Sequence, residues 1–496
     1  MLRILTFTIH KHPLLGGSTF KLTNPDENET SNYFSIIIGP NGTGKSILLN
    51  HIIEAFNEIT ILKVDPKYKP KKKFTVIYLL NGDKYCISTE NLKLKINKND
   101  FDVSLDDIVL PPKWIASSVT INDKYPILNY IRSQQIPQYK YLGIRSATNN
   151  AFLSRIMFNT VINFIEALQK NKSDKLLSVY NTLGLNSKIE VIFSNGPMLK
   201  LEKKDGLYSL YKNINKLIEP HQNFIKKNKS KTNYRSDTYK KHIENKSALQ
   251  SILYFMEKQS DSFFKSTKQN ISINYKVDLE SVNEINNLLD DWSVITIMLD
   301  LELIKIKRFL IRKQNSFQYE EASSGESHLL TSLHGIIANL EDNSLLIIDE
   351  PEVSLHPNWQ IDYFDLLKSI VDNYKGVNTI ISTHSHLLVS SLKNEESRIT
   401  SLSRDVESGV INIDELDYET YGWDPESILY NVFEVATLRN KYFELDLSKL
   451  ISLISTQNDN KEEIKRLQNK VGKYILSNED DPLKLLIKQV DEYLNK

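Results

Sequence analysis

The stretch Gly39-Pro40-Asn41-Gly42-Thr43-Gly44-Lys45-Ser46 constrains this chain more than any other. It follows the apolar run Phe34 to Ile38 and precedes Ile47-Leu48-Leu49, so the order is strand, glycine-rich loop, helix. Glycines let the backbone turn tightly enough to aim several N–H groups at phosphate oxygens. Lys45 supplies a positive charge for the outer phosphates. Ser46 offers a hydroxyl to Mg²⁺, and the helix N-terminus adds its dipole. Leu48, Leu49, Ile52, Ile53 and Phe56 keep helical spacing, which gives the following helix one face to bury.

Composition matters here for what it excludes. The chain has 496 residues, enough for two or three domains, and 62 basic residues balance 62 acidic ones. With no net charge, any nucleic-acid binding has to come from a local patch. The single cysteine, Cys86, rules out an internal disulfide framework and fits a reducing compartment. Met1 to Ile9 reads as a strand, not a signal peptide, and no apolar run is long enough for a membrane span. The expectation is a soluble, cytoplasmic protein.

Far downstream, Ser344-Leu345-Leu346-Ile347-Ile348 runs into Asp349-Glu350-Pro351. This is a buried strand ending in two carboxylates. Asp349 is placed to hold Mg²⁺, and Glu350 to orient or deprotonate a water attacking a γ-phosphate. Upstream, Ala322-Ser323-Ser324-Gly325-Glu326-Ser327 opens an apolar-periodic helix through Leu329, Leu330, Leu333, Ile336 and Ile337. Alone, this turn reads better as a plain helix cap with Glu326 as capping-box partner. Its place shortly before the Asp349-Glu350 strand favours an anion-binding turn instead. After the carboxylates come Val353-Ser354-Leu355-His356-Pro357. A second buried strand, Thr379 to Thr383, then ends at His384, placed to contact a γ-phosphate.

This order of motifs resembles the ABC-class ATPases over residues 1–60 and 318–400. The resemblance implies an α/β fold: an ABC-type head with a P-loop and a mixed sheet flanked by helices. It assigns the Walker A loop to Gly39 to Ser46, with Gly39, Asn41, Gly42, Thr43, Gly44, Lys45 and Ser46 on ATP. It assigns the signature to Ser323, Ser324, Gly325 and Glu326, the Mg²⁺ ligands to Ser46 and Asp349, and the catalytic pair to Glu350 and His384. Val353 to His356 would be the D-loop. Ser-Ser-Gly-Glu departs from the transporter-type Leu-Ser-Gly-Gly-Gln and is nearer to RecF-like and Rad50-like forms. The Q-loop glutamine stays open among Gln134, Gln135 and Gln138. In this class the signature completes the site of a facing subunit, so the resemblance implies a homodimer or a higher oligomer of dimers closed by ATP.

Residues 47–322 separate the two halves of the site, far more than transporter ATPases place there. The expected division is 1–150 and 311–420 for the head, 151–310 for a mainly helical inserted arm, and 421–496 for a C-terminal helical region that docks a partner. Within the arm, Phe152, Ile156, Val161, Phe164, Ile165 and Leu168 predict a helix. No heptad run persists, which excludes a long coiled-coil rod. Residues 226–246 interleave lysines with Tyr234 and Tyr239. That pattern suits DNA or RNA backbone contact, or a solvated helix face. Gly422-Trp423-Asp424-Pro425 predicts a helix start with Asp424 as cap. Further helices are expected over Lys461 to Ile475 and Pro482 to Leu494.

Tyr141-Leu142-Gly143-Ile144-Arg145, the Ser-Ser-Gly-Glu signature and the Gly-Trp-Asp-Pro-Glu-Ser-Ile-Leu tail are together similar to stand-alone bacterial defence ATPases, such as the ATPase subunit of the Septu anti-phage system. That resemblance implies ATP and Mg²⁺ as cofactors and a separate HNH-type nuclease as partner, because no carboxylate or histidine cluster of nuclease type stands out in the sequence. A RecF/Rad50-like DNA-repair or recombination ATPase that binds DNA directly is the alternative. A tRNA-cleaving toxin is a third reading.

Overall fold

The computed structural model describes residues 1–23, 32–90, 93–120, 122–127, 135–145, 153–199, 214–227, 234–259, 272–313, 324–393, 395–405, 409–416, 420, 422–423, 427–429, 432–433, 441–455, 461–472 and 482–494. The described chain divides into two compact units, Met1–Ile428 and Leu429–Lys496.

In the first unit the strands run β1 (Leu2–Ile9), β2 (Ser18–Lys21), β3 (Tyr33–Ile38), β4 (Phe74–Leu80), β5 (Asp83–Glu90), β6 (Lys93–Lys98), β7 (Phe101–Asp102), β8 (Trp114–Ser118) and β9 (Tyr139–Tyr141). They continue as β10 (Leu185–Asn195), β11 (Ser272–Asp278), β12 (Ile304–Lys313), β13 (Leu345–Asp349), β14 (Asn378–Thr383), β15 (Ser397–Arg404) and β16 (Ile411–Leu416). The helices are α1 (Lys45–Val64), α2 (Leu153–Gln169), α3 (Ser173–Thr182), α4 (Ile214–Lys227), α5 (Tyr234–Ile243), α6 (Lys246–Lys258), α7 (Val282–Asp300), α8 (Ser324–Asn339) and α9 (Pro357–Val371).

Among the described residues the strands form three sheets. One is six-stranded and antiparallel, β2-β1-β4-β5-β6-β7; one is three-stranded and antiparallel, β11-β10-β12. The third has the order β16-β15-β3-β14-β13-β8-β9 and is parallel except for β16. Every residue of β3, β8, β13 and β14 is buried, as expected when both faces of a parallel sheet are covered. Ile37, Ile347 and Ala116 face a core shared with α1, while Phe34 meets Phe364 of α9 edge to face and Ser117 bonds Ser332 of α8 at 2.8 Å.

Helix α1 lies in one hydrophobic core with residues of both the parallel sheet and the six-stranded sheet. Its predicted apolar face is fully buried, but the helix also buries Asn50, His51, Asn57, Glu58 and Thr60. Periodicity revealed one face because the second face is lined by polar groups, most of them hydrogen-bonded. Glu58 accepts backbone N–H groups of Lys71 and Lys72, Thr60 bonds the Phe56 carbonyl, and Asn57 accepts the Trp114 indole N–H at 2.8 Å. That last bond pins α1 to β8.

The inserted segment is more than helical: it carries the three-stranded β11-β10-β12 sheet beside α2 to α7. Helix α2 buries Ile156, Val161, Phe164, Ile165 and Leu168 as its spacing predicts, and Phe152 lies outside the described residues. It packs on α8, where Thr160 and Thr331 share a 2.6 Å hydrogen bond. Lys170 and Lys172 cap the carbonyls of Ile337, Ala338 and Leu340 at the end of α8.

The second unit holds α10 (Lys441–Ser455), α11 (Lys461–Gly472) and α12 (Pro482–Leu494), with Leu450, Ile464, Leu467, Val471 and Val490 as its core. The predicted 482–494 helix keeps its bounds, the 461–475 helix is described as far as Gly472, and α10 was not read from the sequence. The cap predicted at Asp424 lies outside the described residues. No helix among the described residues is long and apolar enough to cross a membrane.

Asn57→Ala leaves the Trp114 indole N–H buried without its acceptor. It is expected to destabilise the first unit by about 1–3 kcal/mol, read as a lower denaturant midpoint; no shift would show that the α1–β8 bond is not needed to seat the helix.

Candidate active site

Register brings the site together. Asp349 pairs with Ser382 of β14 and Ser118 of β8, and Thr383 pairs with Ile38 of β3. In a parallel sheet these are carboxyl ends, so the loop after β3, His384 after β14 and Glu350 after β13 leave from one edge. The crevice at the carboxyl ends of such strands is where ligands bind.

The Gly39–Ser46 loop takes the backbone its glycines permit, with Gly39, Gly42 and Gly44 at φ +144°, +83° and +97°. At Gly39 a Cβ would stand 2.2 Å from the Leu402 carbonyl oxygen, so no side chain fits there. Thr43 closes the loop by donating to the Pro40 carbonyl at 2.9 Å. Lys45 folds back over it, its Nζ donating to the carbonyls of Gly39 at 2.7 Å and Pro40 at 3.2 Å. Burial pushes the Lys45 ammonium down to about 8, against the pull of Glu350, Asp349 and Glu352. A phosphate in the loop would restore the charge balance of that cation.

Asp349 is 2% exposed. Its Oδ1 accepts the Ser46 hydroxyl at 3.0 Å and also the Ser382 hydroxyl. Burial raises its pKa to about 6, although both serine bonds pull it down. Ser46 and Asp349 are adjacent, hard oxygen donors, and a buried carboxylate of this kind gains from a cation. The pair therefore fits Mg²⁺, which takes few protein ligands and keeps waters for the rest.

Glu350 sits in the left-handed region at φ +50°. Its Oε1 is 3.5 Å from His384 Nε2, and that bond, with help from Lys45, holds the carboxyl below the usual glutamate range despite partial burial. The same imidazole nitrogen is 2.8 Å from Lys45 Nζ. Ammonium, imidazole and carboxylate thus form one chain across three strand ends. Glu352 was not singled out from the sequence, yet its Oε1 accepts the His384 backbone N–H at 2.5 Å and fixes where the histidine leaves β14. Burial raises the Glu352 pKa. The only local signal was a second glutamate two residues after Glu350.

At the signature, Ser323 and the Ser324 side chain lie outside the described residues. Ser324 starts α8, Glu326 is in its first turn, and Gly325 is buried against the loop after β13. A Cβ on Gly325 would stand 2.0 Å from the Ser354 carbonyl oxygen. The start of α8 and the loop after β13 are therefore in close contact at this point, and the glycine is what allows it. His356 caps α9, accepting the Asn358 N–H through Nδ1 at 3.3 Å.

Of the Q-loop candidates, Gln134 lies outside the described residues. Gln138 accepts the Trp114 N–H at 3.1 Å, which puts it at the start of β8. Asp349 is level with Ser118 at the other end of that strand, so Gln138 is on the wrong edge by four strand residues, about 13 Å. Gln135 stands just before the Ile136–Tyr139 turn that leads to the same edge. In the basic segment Lys226, Lys227, Lys240, Lys241 and Lys246 are exposed, but Tyr239 is fully buried against His221 and Phe224. It is not available for base stacking; Tyr234's side chain lies outside the described residues.

The folded-state pKa of Asp349 lies above that of an exposed aspartate, so its charge destabilises the ligand-free fold once pH passes about 4, and in full above its own pKa. Asp349→Asn keeps the carbonyl acceptor and removes that charge. In EDTA without nucleotide the variant is expected to be more stable than wild type at pH 8 by about 2–3 kcal/mol, with the gap closing below about pH 4. Equal stability across that range would show that the carboxylate is not strained by burial.

Residues 198–390 match the family model described as "AAA domain, putative AbiEii toxin, Type IV TA system". The chain is 22% identical to the Retron Vc95 probable ATPase of Vibrio cholerae serotype O1 biovar El Tor, over 81% of this chain and 72% of that protein. It is 25% identical to the Septu protein PtuA of Bacillus thuringiensis, over 29% of this chain and 39% of that protein. Among solved structures, the SMC head domain from Thermotoga maritima covers 84% of this chain and 100% of that one at 13% identity, with a TM-score of 0.32, too low to carry weight. The Gly39–Ser46 loop, the Asp349-Glu350 strand end, the matched AAA-type model and the retron ATPase relative agree: this chain is an ATPase.

Proposed function

We propose that this protein is the ATP-hydrolysing switch of a bacterial anti-phage defence complex, in which two heads close around ATP and regulate a separate HNH-type nuclease. The observation that carries the ATPase part is the meeting of Lys45, Ser46, Asp349, Glu350 and His384 at one edge of the parallel sheet. The retron and Septu relatives support the defence role.

In this reading the backbone N–H groups from Gly39 to Gly44, with Asn41 and Thr43, cradle the phosphates, and Lys45 neutralises the outer ones. Ser46 and Asp349 hold Mg²⁺, which supplies charge stabilisation on the phosphoryl oxygens. Glu350, kept ionised at neutral pH by His384 and Lys45, orients the attacking water. When a γ-phosphate draws Lys45 away, His384 is left to read that phosphate. Ser323, Ser324, Gly325 and Glu326 complete the site of the facing subunit. Because Gly325 rests on the Ser354 carbonyl, signature and D-loop would present themselves across that interface as one body.

DNA or RNA contact remains part of the proposal through exposed lysines alone, without stacking by Tyr239. Such binding would weaken steeply with salt and show little sequence preference.

Glu350→Gln is expected to bind ATP, hydrolyse it at least about 100-fold more slowly, and run as a dimer in ATP and Mg²⁺ by light scattering. Unchanged turnover would remove Glu350 from its role, and a variant that stays monomeric with ATP bound would remove the intersubunit site. Tight, salt-sensitive binding of duplex DNA by the purified chain, with no effect of ATP on a co-expressed HNH protein, would favour the DNA-repair reading.

A further inference from the structure

The three-stranded sheet of the inserted segment has one covered face and one open face. Ile189, Val191 and Phe193 of β10 and Ile273, Tyr275 and Val277 of β11 alternate inward and are buried. Tyr275 donates to Asp291 of α7 at 2.8 Å, and Phe309 of β12 meets Phe164 of α2 edge to face. The register puts Lys188, Asn274, Lys276, Lys305 and Arg308 on the opposite side, and all five are exposed. An antiparallel sheet commonly keeps one face in water. The charge on this one is uneven.

Both carboxylates of the open face stand where β10 pairs with β11. Glu190 accepts the Asn274 amide at 3.0 Å and lies 3.9 Å from Lys276, and Asp278 lies 4.0 Å from Lys188. Strand β12 flanks β10 on the other side and carries no acidic residue from Ile304 to Lys313. Its exposed residues are Lys305, Lys307, Arg308 and Arg312, all cationic. Between Arg308 and Ile306 the register slips by one, so Lys307 is the extra residue of a bulge. A surface that only has to stay soluble mixes both signs. The whole chain has no net charge, so this strip of one sign is a local feature and not part of a general field.

We propose that the open face of this sheet, centred on β12, binds the phosphate backbone of a nucleic-acid duplex. From Lys305 to Arg312 is about 23 Å of strand, a length that faces about seven phosphates of one duplex strand. Among the described residues, none of the three strands exposes an aromatic or large apolar side chain. There is thus no platform for stacking unpaired bases and no apolar group to enter a membrane interface. Contacts of this kind position a duplex without reading its sequence. The inference gives the proposed function a second nucleic-acid surface, apart from residues 226–246 and independent of the ATP site.

The test uses the full-length chain in EDTA without nucleotide. It reads fluorescence anisotropy of a labelled duplex of about 30 base pairs between about 50 and 200 mM KCl. Duplex DNA and duplex RNA are separate arms, and salt-sensitive binding in either supports the surface. The triple variant Lys305→Gln, Lys307→Gln, Arg312→Gln is expected to bind about tenfold or more weakly, with a salt slope shallower by about three. Lys305→Arg, Lys307→Arg, Arg312→Lys keeps the charges and should keep both affinity and slope. The control Lys226→Gln, Lys227→Gln, Lys240→Gln, also at exposed positions, should lose less than the β12 variant. Turnover of ATP by the β12 variant should stay at the wild-type rate, so failure of this surface and failure of the ATP site are read separately. Wild-type affinity and slope in the β12 glutamine variant, or an equal loss in the control, overturns the proposal. A similar loss in the charge-keeping variant would mark a packing effect and also overturn it. So would a wild-type chain that binds neither duplex, or that prefers anionic vesicles or polyglutamate to both.

Discussion

The parallel register of β3, β14, β13 and β8 is the constraint on which the rest of the site depends. One residue of slip in any of these strands would turn its side chains to the opposite face and move its end by about 3.3 Å. Either change would separate Ser46 from Asp349, or His384 from Lys45. Burial of the sheet on both faces makes slip unfavourable, because Ile37, Ile347 and Ala116 are committed to the α1 side and Phe34 and Ser117 to the other. The six-stranded sheet matters to catalysis only indirectly: it closes the far side of α1 and so fixes where the helix N-terminus points.

Legibility in the sequence follows how local each feature is. Gly39 to Ser46, Asp349, Glu350 and His384 could be picked out because each belongs to a short segment whose chemistry and flanking elements are visible together. Strand order could not, since nothing in Thr379 to Thr383 announces that this strand lies between β3 and β13. The spacing also left the choice among Gln134, Gln135 and Gln138 open. Gln138 is close to Tyr139 in sequence, but β9 pairs with the start of β8, and only the pairing shows which edge that is. Tyr239 looked available for stacking because its neighbours are lysines, yet a helix puts a residue and its neighbour on different faces, and its own face is the buried one. Glu352 acts through a contact with His384, 32 residues away in the chain, and its role appears only once that contact is known.

Helices α2 and α3 are bonded to α8 within the first unit. Thr160 and Thr331, Tyr180 and His334, and the two lysines on the end of α8 tie α2 and α3 to the helix whose first turn carries Gly325. His334 is fully buried among Phe164, Tyr180 and Phe309, and burial lowers its pKa to about 4, so it is a neutral packing group at physiological pH. These contacts join α2 and α3 to the helix whose first turn lies against the Ser354 carbonyl.

The ligand-free head holds several groups in states they would not choose alone. Asp349 keeps a carboxylate where burial opposes its charge, Lys45 keeps an ammonium under the same pressure, and Glu350 occupies backbone space that costs a non-glycine residue about 1–3 kcal/mol. The Lys45–His384–Glu350 chain relieves part of this, with the lysine also bonded to its own loop carbonyls. A triphosphate with its metal would answer each tension separately: the metal for Asp349, the phosphates for Lys45, and the freed histidine for the γ-phosphate. Binding free energy is then available from groups already in place, and the apolar core around α1 carries the cost of holding them there. That separation sets most of the buried polar residues of α1, which are hydrogen-bonded to fixed partners, apart from the charged groups at the strand ends, whose bonds leave burial opposing the charge of Asp349 and Lys45.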